Sequence, residues 1–471
     1  MPDNNSSACY RPIHHLLLLA AIVSANPIHA QATGAITSQS TPVVIPKTPA
    51  GEALRAWLEA FNSADSARIG DYARRLQPDV TLDDELGFRD RTGGFDLLSI
   101  ERNEPRHLEF TVRERNSPVT AYGVIEVSAT EPLRVTKRDM RAMGPNGSPA
   151  SLRIDAAERA RVVAGAAALL DTFYVFPDVA KRMGDSLRAR LARKAYDQYN
   201  NGIMFAMRLN EDLAEIAHDK HLNVDYSARP LPPEQLRPPG APELPRPAGA
   251  PQPARSPEDV AREREFVDRI NCGFVRAEQL PGNVGYLKFN GFVGVDLCGP
   301  TASAAMTFLA ATSALIIDLR ENGGGNPAMV AYVSSYLFDK RTHLNDLWTR
   351  RTGKTEEFWT RDTVPGRRFG GEKPIYVLTS ARTFSGAEEF TYNLKNLKRA
   401  TIIGETTGGG AHPVNGHRID EHFSIGVPFA RAINPVTHTN WEGVGVKPDI
   451  SVPAGDALAT AQRLLREKAR Q

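Results

Sequence analysis

The sequence predicts an α/β protein in three parts: a layered strand and helix core in its C-terminal half, a helical segment before it, and a small α+β unit before that. Three observations carry this reading. Beyond Glu265 short apolar runs alternate with helical periodicities, as in layered α/β domains. From Ser151 to Ala217 the apolar positions recur with helical spacing throughout, and between residues 51 and 143 one amphipathic stripe is followed by segments of strand-like alternation. The 471 residues are 41% hydrophobic and 24% charged, which is enough to bury a sizeable core. Lys+Arg 57 against Asp+Glu 55 leaves a formal charge of +2, so no single-sign field marks a nucleic acid or an anionic membrane as partner.

In chain order, Arg11, His14 and His15 precede an apolar run from Leu16 to Val23, and Ala30 offers a small residue before Gln31. Residues 1–30 therefore read as a secretory signal peptide, and the expectation is an exported protein, periplasmic or secreted. The run is too short to span a bilayer. Residues 31–50 lack periodicity and read as a flexible leader. Within 51–143, Leu54, Trp57, Leu58 and Phe61 form a helical stripe, and Leu108-Phe110-Val112 and Tyr122-Val124-Ile125-Val127 read as strands of one antiparallel sheet. Its opening helix resembles that of NTF2-like or cystatin-like domains.

Residues 151–226 form the helical part. Residues 227–264 read as a proline-rich linker or loop, because Pro230 to Pro257 holds eleven of the 34 prolines and almost no large apolar residue. In the core, residues 265–471, strands are expected at 284–289, 314–319 and 375–378, and helices at 302–309, 329–337 and 388–397. After removal of the signal only Cys272 and Cys298 remain, and an oxidising compartment permits a disulfide between them.

Two turns of this core are candidates for chemistry. After the strand ending at Leu319 comes Arg320-Glu321-Asn322-Gly323-Gly324-Gly325, where unhindered N–H groups can face an anion or simply make a tight turn. A phosphate loop is disfavoured, since the GxxxxGK[ST] lysine and hydroxyl are missing. After the strand ending at Leu378, Ser385 stands before Gly386 and Ala387 at the start of a helix. There it is either an N-cap or a nucleophile whose oxyanion the helix N-terminus would favour. Neither His417-Arg418-Ile419-Asp420-Glu421-His422 nor any other cluster has zinc spacing, and no cofactor is expected.

The combination of Val284-Gly285-Tyr286-Leu287, Asp318-Leu319-Arg320 with Gly323 to Gly325, Thr383-Phe384-Ser385-Gly386-Ala387-Glu388, Gly404-Glu405-Thr406-Thr407-Gly408-Gly409 and Glu442-Gly443-Val444-Gly445-Val446-Lys447-Pro448-Asp449 resembles the C-terminal-processing (tail-specific) serine peptidase family. Tyr174-Val175-Phe176-Pro177 and Asp219-Lys220-His221-Leu222-Asn223-Val224 are similar to the branch related to interphotoreceptor retinoid-binding protein and the tricorn core. The resemblance implies a ClpP/crotonase-like core and a serine-type peptidase acting through an acyl-enzyme. Ser385 would be nucleophile, and Gly386 and Gly324 would supply oxyanion-hole N–H groups. The dyad lysine of the processing branch aligns with Gly410 and is missing; the tricorn-like branch implies His221 as base and Glu442 as its orienting carboxylate. His412 is the rival base. The expected partner is a peptide or protein substrate, with oligomeric state open. Two alternatives remain: an apolar-ligand-binding module of the same fold, and an esterase or amidase.

Overall fold

A computed structural model describes residues 43–78, 80, 82–231 and 257–468. The signal segment, most of the leader and most of the proline-rich stretch lie outside these residues. No described helix is long and apolar enough to cross a membrane.

The first unit has three helices, α1 (Pro49–Asn62), α2 (Ser66–Leu76) and α3 (Leu82–Thr92), and an antiparallel meander of β1 (Phe95–Asn103), β2 (His107–Glu114), β3 (Val119–Val127) and β4 (Val135–Pro145). Pro49 at the first helical turn and Thr48, whose Oγ1 accepts the Gly51 N–H, start α1. The stripe Leu54, Trp57, Leu58 and Phe61 is buried against the sheet, with the Trp57 ring 5.7 Å from Phe95 and 6.3 Å from Phe110. The opposite face of the meander is also covered: Tyr122, Val124 and Met143 pack on Leu152, Ile203, Met204 and Met207 of the helical part.

That part comprises α4 (Ala156–Phe173), α5 (Pro177–Ala192) and α6 (Gly202–Ala217), followed by β5 (Asn223–Tyr226). Asp155 caps α4 and Asn201 caps α6 through their side-chain oxygens. Val162, Val163, Leu170, Met183, Leu187, Phe205, Leu209 and Leu213 share one core with Phe423, Ile425 and Val427 from far along the chain.

The C-terminal part begins with α7 (Pro257–Arg269), β6 (Phe274–Leu280), β7 (Val284–Phe289), α8 (Val295–Leu309), β8 (Ala314–Asp318) and α9 (Pro327–Ser334). It continues through β9 (His343–Thr349), β10 (Lys354–Trp359), β11 (Ile375–Thr379), α10 (Gly386–Asn396) and β12 (Thr401–Gly404). Last come β13 (Val414–Arg418), β14 (Phe423–Pro428), β15 (Ala430–Ile433), β16 (Ile450–Ser451) and α11 (Ala457–Lys468).

The main sheet has the order β16-β12-β11-β8-β7-β6, parallel except for the edge strand β6. Its strands are apolar on both sides because both faces are covered. Leu315, Ile317 and Val377 pack under α8, α9 and α10, whereas Ala314, Ile316 and Leu378 pack against α11. The helix expected from 302 starts earlier, at Val295, and carries Pro300 inside it. A proline removes an N–H from a helix interior, which is why the periodicity was legible only beyond it.

Two small sheets, β10-β9-β15 and β13-β14-β5, complete this part. In the second, β5 pairs antiparallel with β14, Asn223 opposite Gly426 and Tyr226 opposite Phe423. This pairing fastens the loop after α6 to the C-terminal half.

Cys272 and Cys298 are buried and bonded, with Cα atoms 5.6 Å apart. The bridge closes a loop of 26 residues, for which chain entropy gives a stabilisation of about 3 to 4 kcal/mol. A Cys272→Ser, Cys298→Ser variant should lose up to that amount in urea unfolding while keeping its far-ultraviolet circular dichroism. A midpoint unchanged from the oxidised wild type would sink this.

Candidate functional site

β8 ends at buried Asp318, whose carboxylate accepts bonds from Arg320 at 2.9 and 2.6 Å and from the Tyr286 hydroxyl at 2.7 Å. Burial opposes this charge, but Arg320 and Tyr286 outweigh it and hold the carboxyl below its ordinary range. Arg320 is thereby fixed, and its carbonyl accepts the Ser380 hydroxyl at 2.5 Å. The two candidate turns, 320–325 and 380–386, are thus tied together at their bases.

Ser385 stands between β11 and α10 with φ 55° and ψ −121°. Such a conformation costs a non-glycine residue roughly 1–3 kcal/mol and persists only where neighbours enforce it. Here the Phe384 N–H is donated to the Asn322 carbonyl at 3.0 Å, the Thr383 hydroxyl to the Leu319 carbonyl at 2.8 Å, and the Ser385 N–H to the Glu388 carboxylate at 2.9 Å. Glu388 is fully buried and also accepts the N–H groups of Gly409 at 2.6 Å and Gly410 at 2.8 Å and the hydroxyl of Thr407. Burial pushes its carboxyl up to about 7 in spite of these four bonds. The sequence reading missed Glu388, although its place three residues after Ser385 is capping-box spacing.

Gly324 lies against the serine. With φ 98°, a Cβ on it would come 2.6 Å from the Gly386 nitrogen and 2.7 Å from the Ser385 Cβ. Its own N–H, however, is donated to Asn322 Oδ1 at 2.8 Å. Gly324 is thus a wall of the site, and its N–H holds the bond that an oxyanion would have to displace. A Cβ on Gly386 would stand 3.0 Å from the nitrogen of the next glycine, Gly325.

His221 arrives from the other half. α6 ends at His218 in the left-handed region, φ 52°, and Asp219 Oδ1 then accepts the His221 N–H at 3.0 Å. Beside it, Lys220 Nζ binds the Gly408 carbonyl. The His221 ring packs on Phe384 with centroids 4.6 Å apart. A Cβ built on Gly410 would meet His221 Cε1 at 2.7 Å and Phe384 Cζ at 2.3 Å. The space into which a residue at 410 would project is therefore occupied by the His221 and Phe384 rings.

Glu442 Oε2 accepts the Ala411 N–H at 2.6 Å, and Oε1 is buried without a hydrogen-bond partner. Side-chain donor atoms of Asp219, His221 and Glu442 lie within 4.8 Å of one another. His412, one residue beyond Ala411, is buried with Nδ1 2.7 Å from Asp219 Oδ2 and 3.4 Å from Glu442 Oε2. Tyr174 donates to the same Asp219 oxygen at 3.3 Å. Donor atoms this close are also the spacing a cation would need, but His412 already offers positive charge to both carboxylates. Burial and then the Asp219 charge raise the Glu442 carboxyl, with His412 opposing them. Burial disfavours the His412 imidazolium, yet Asp219 and Glu442 outweigh it and raise its pKa. His417, by contrast, stacks on Phe173 at 4.3 Å outside this cluster.

Residues 283–452 match peptidase family S41, and residues 155–260 match the N-terminal domain of peptidase S41 in eukaryotic IRBP. A protein of Streptomyces coelicolor named as tricorn protease homolog 2 is 25% identical over 203 residues, 42% of this chain and 15% of that protein. Carboxyl-terminal-processing peptidase 2 of Arabidopsis thaliana chloroplasts is 27% identical over 200 residues, 41% of this chain and 37% of that protein. The chain thus spans well under two thirds of the length of these curated relatives. The solved photosystem II D1 C-terminal processing protease aligns with 16% identity and a TM-score of 0.39, over 65% of this chain and 96% of that one.

Two outcomes are expected from this geometry. Gly410→Ala should displace His221 and Phe384 and slow fluorophosphonate labelling of Ser385 by about 10²-fold, the scale of a roughly 1 Å misplacement at a reacting centre; unchanged labelling would show that the contact is harmless. Glu389, next along α10, is buried with Oε1 unpartnered, and burial raises its carboxyl from 4.5 to about 8. The native state then binds this proton more tightly than the unfolded chain, so its stabilising effect is complete below about pH 4.5 and is lost as pH rises through about 8. Urea unfolding at pH 5 and pH 8 should differ less for Glu389→Gln than for the wild type. Equal slopes would refute the assignment.

Proposed function

Because residues 283–452 belong to peptidase family S41 and residues 155–260 carry its N-terminal domain, we propose that this chain is an exported serine peptidase that cleaves peptide bonds through a Ser385, His221 and Glu442 arrangement. The observation that carries the reading is the filling of the space at Gly410 by the imidazole of His221. Where a lysine would reach toward the serine turn in a Ser-Lys dyad, this chain has no side chain and a histidine instead. We read the core as ClpP/crotonase-like and the first unit as NTF2-like or cystatin-like.

In this mechanism Ser385 Oγ attacks the scissile carbonyl while His221 takes its proton. Glu442, within 4.8 Å of the ring, fixes the tautomer and stabilises the imidazolium. The carbonyl oxygen becomes an oxyanion beside the N-terminus of α10, where the N–H of Gly386 serves as donor and that of Gly324 exchanges its bond to Asn322 Oδ1 for the oxyanion. His221 then protonates the leaving amine, and the acyl-enzyme is released by water that His221 deprotonates in turn. The strained serine backbone and the close approach of Gly324 support this role, since both hold the hydroxyl at a fixed place over the turn. The buried disulfide supports export, because such bonds persist in oxidising compartments.

Fluorophosphonate should label the wild type and not Ser385→Ala, and hydrolysis of a peptide substrate by that variant should fall by a factor on the scale of about 10⁶. His221→Ala should be nearly as damaged, and Glu442→Gln less so. Retained turnover in Ser385→Ala would remove the nucleophile assignment, and a fully active His221→Ala would remove the base.

A further inference from the structure

The proposed triad leaves unused a buried histidine with two carboxylates against one ring nitrogen. Resting on that triad, we propose that His412 is a positioning residue: its ring, shared between Asp219 and Glu442, draws Glu442 toward its ionised form beside His221. The geometry is specific. Nδ1 of His412 is 2.7 Å from Asp219 Oδ2 and 3.4 Å from Glu442 Oε2, and its ring is pinned edge-on by Phe176 at 5.4 Å. Asp219 and Glu442 are themselves close, and the charge of Asp219 disfavours that of Glu442 in these buried surroundings. One cation between them relieves that repulsion. Without it the cheapest adjustment is a proton on Glu442, the less fully bonded of the two, since Asp219 also receives the Tyr174 hydroxyl and the His221 N–H. A neutral Glu442 cannot stabilise an imidazolium on His221.

The charged and titratable groups around this cluster act in both directions. Facing His412 are Asp219 from the loop after α6, Glu442 from the loop before β16, and Arg431 of β15, which opposes the imidazolium. Facing Glu442 are Asp219, His412 and His221, with Glu388 of α10 adding to the negative charge. Tyr174, at the end of α4, touches Asp219. Of the groups facing Glu442 that carry charge into the cluster, His412 is the one whose effect lowers its carboxyl pKa directly. The charge state that the triad needs therefore exists above the Glu442 pKa, and removing His412 moves that boundary upward.

The test uses the full mature chain and a fluorophosphonate probe, with the labelling rate of Ser385 followed from pH 5 to pH 10. In the wild type the rate rises as Glu442 loses its proton. His412→Gln keeps size and hydrogen bonding without charge, and should move the acid limb to higher pH by a unit or more, so that labelling at neutral pH falls about tenfold while the alkaline plateau is retained. Adding Asp219→Asn removes the competing carboxylate, leaves an oxygen for the His221 N–H, and should move the limb back. The double variant also guards against a misfolded single one, because it leaves one buried carboxylate without a cation where the single variant leaves two. Superimposable profiles for wild type and His412→Gln overturn the inference. So does an equal slowing at every pH, which is what a purely structural histidine would give. A wild-type chain that takes no label at any pH overturns the triad on which the inference stands.

Discussion

A single buried carboxylate, that of Glu388, holds the two halves of the site in register. It accepts the backbone N–H of Ser385 with one hand and those of Gly409 and Gly410 with the other, and the Thr407 hydroxyl completes its shell. No cation lies among these partners. Burying an unpaired carboxylate is costly, and four donors, together with its place in the first turn of α10, are what make it tolerable. The strained serine turn and the glycine turn beneath His221 follow separate strands, and besides this carboxylate the Gly408 N–H, donated to the Thr383 carbonyl at 2.9 Å, joins them. Bridging them means that the positions of Ser385 and of the floor under His221 are set together.

The loop carrying His221, the proposed base, belongs to a different hydrophobic core. His221 follows α6, whose apolar side packs with α4, α5 and β14, whereas Ser385 rides on the core formed by the main sheet with α8, α9 and α10. Four residue pairs between β5 and β14 and the Lys220 bond to Gly408 join them. The first unit adds a third layer, since its meander packs Tyr122, Val124 and Met143 on the flank of α6. Its contribution to the site runs through that helix.

Much of this was legible in the sequence where one residue type has one physical use. The stripe Leu54, Trp57, Leu58, Phe61 marked α1, and the apolar runs at 284–289 and 314–319 marked central strands, because burial on both faces leaves few alternatives. The proposed set of Ser385, His221 and Glu442 rests on motif resemblance, since composition alone offers no reason to connect residues 164 positions apart. What escaped was set by tertiary pairing: β5 is four residues long and exists because β14 lies beside it, and α8 extends through Pro300 because the sheet supports it. The bond from the Gly324 N–H to the Asn322 side chain was equally out of sight, since it depends on that side chain curling back over the turn. His412 was weighed as a lone imidazole, and only the fold shows it between two acids.

The division of the site between two cores has a consequence for the chain before it is complete. The β11 to α10 turn is built within the C-terminal layers, while the loop carrying His221 is anchored only when β14, some two hundred residues later, closes onto β5. In the proposed mechanism a partly assembled molecule would therefore present a serine without its proton acceptor, and hydrolysis would wait on the finished tertiary structure.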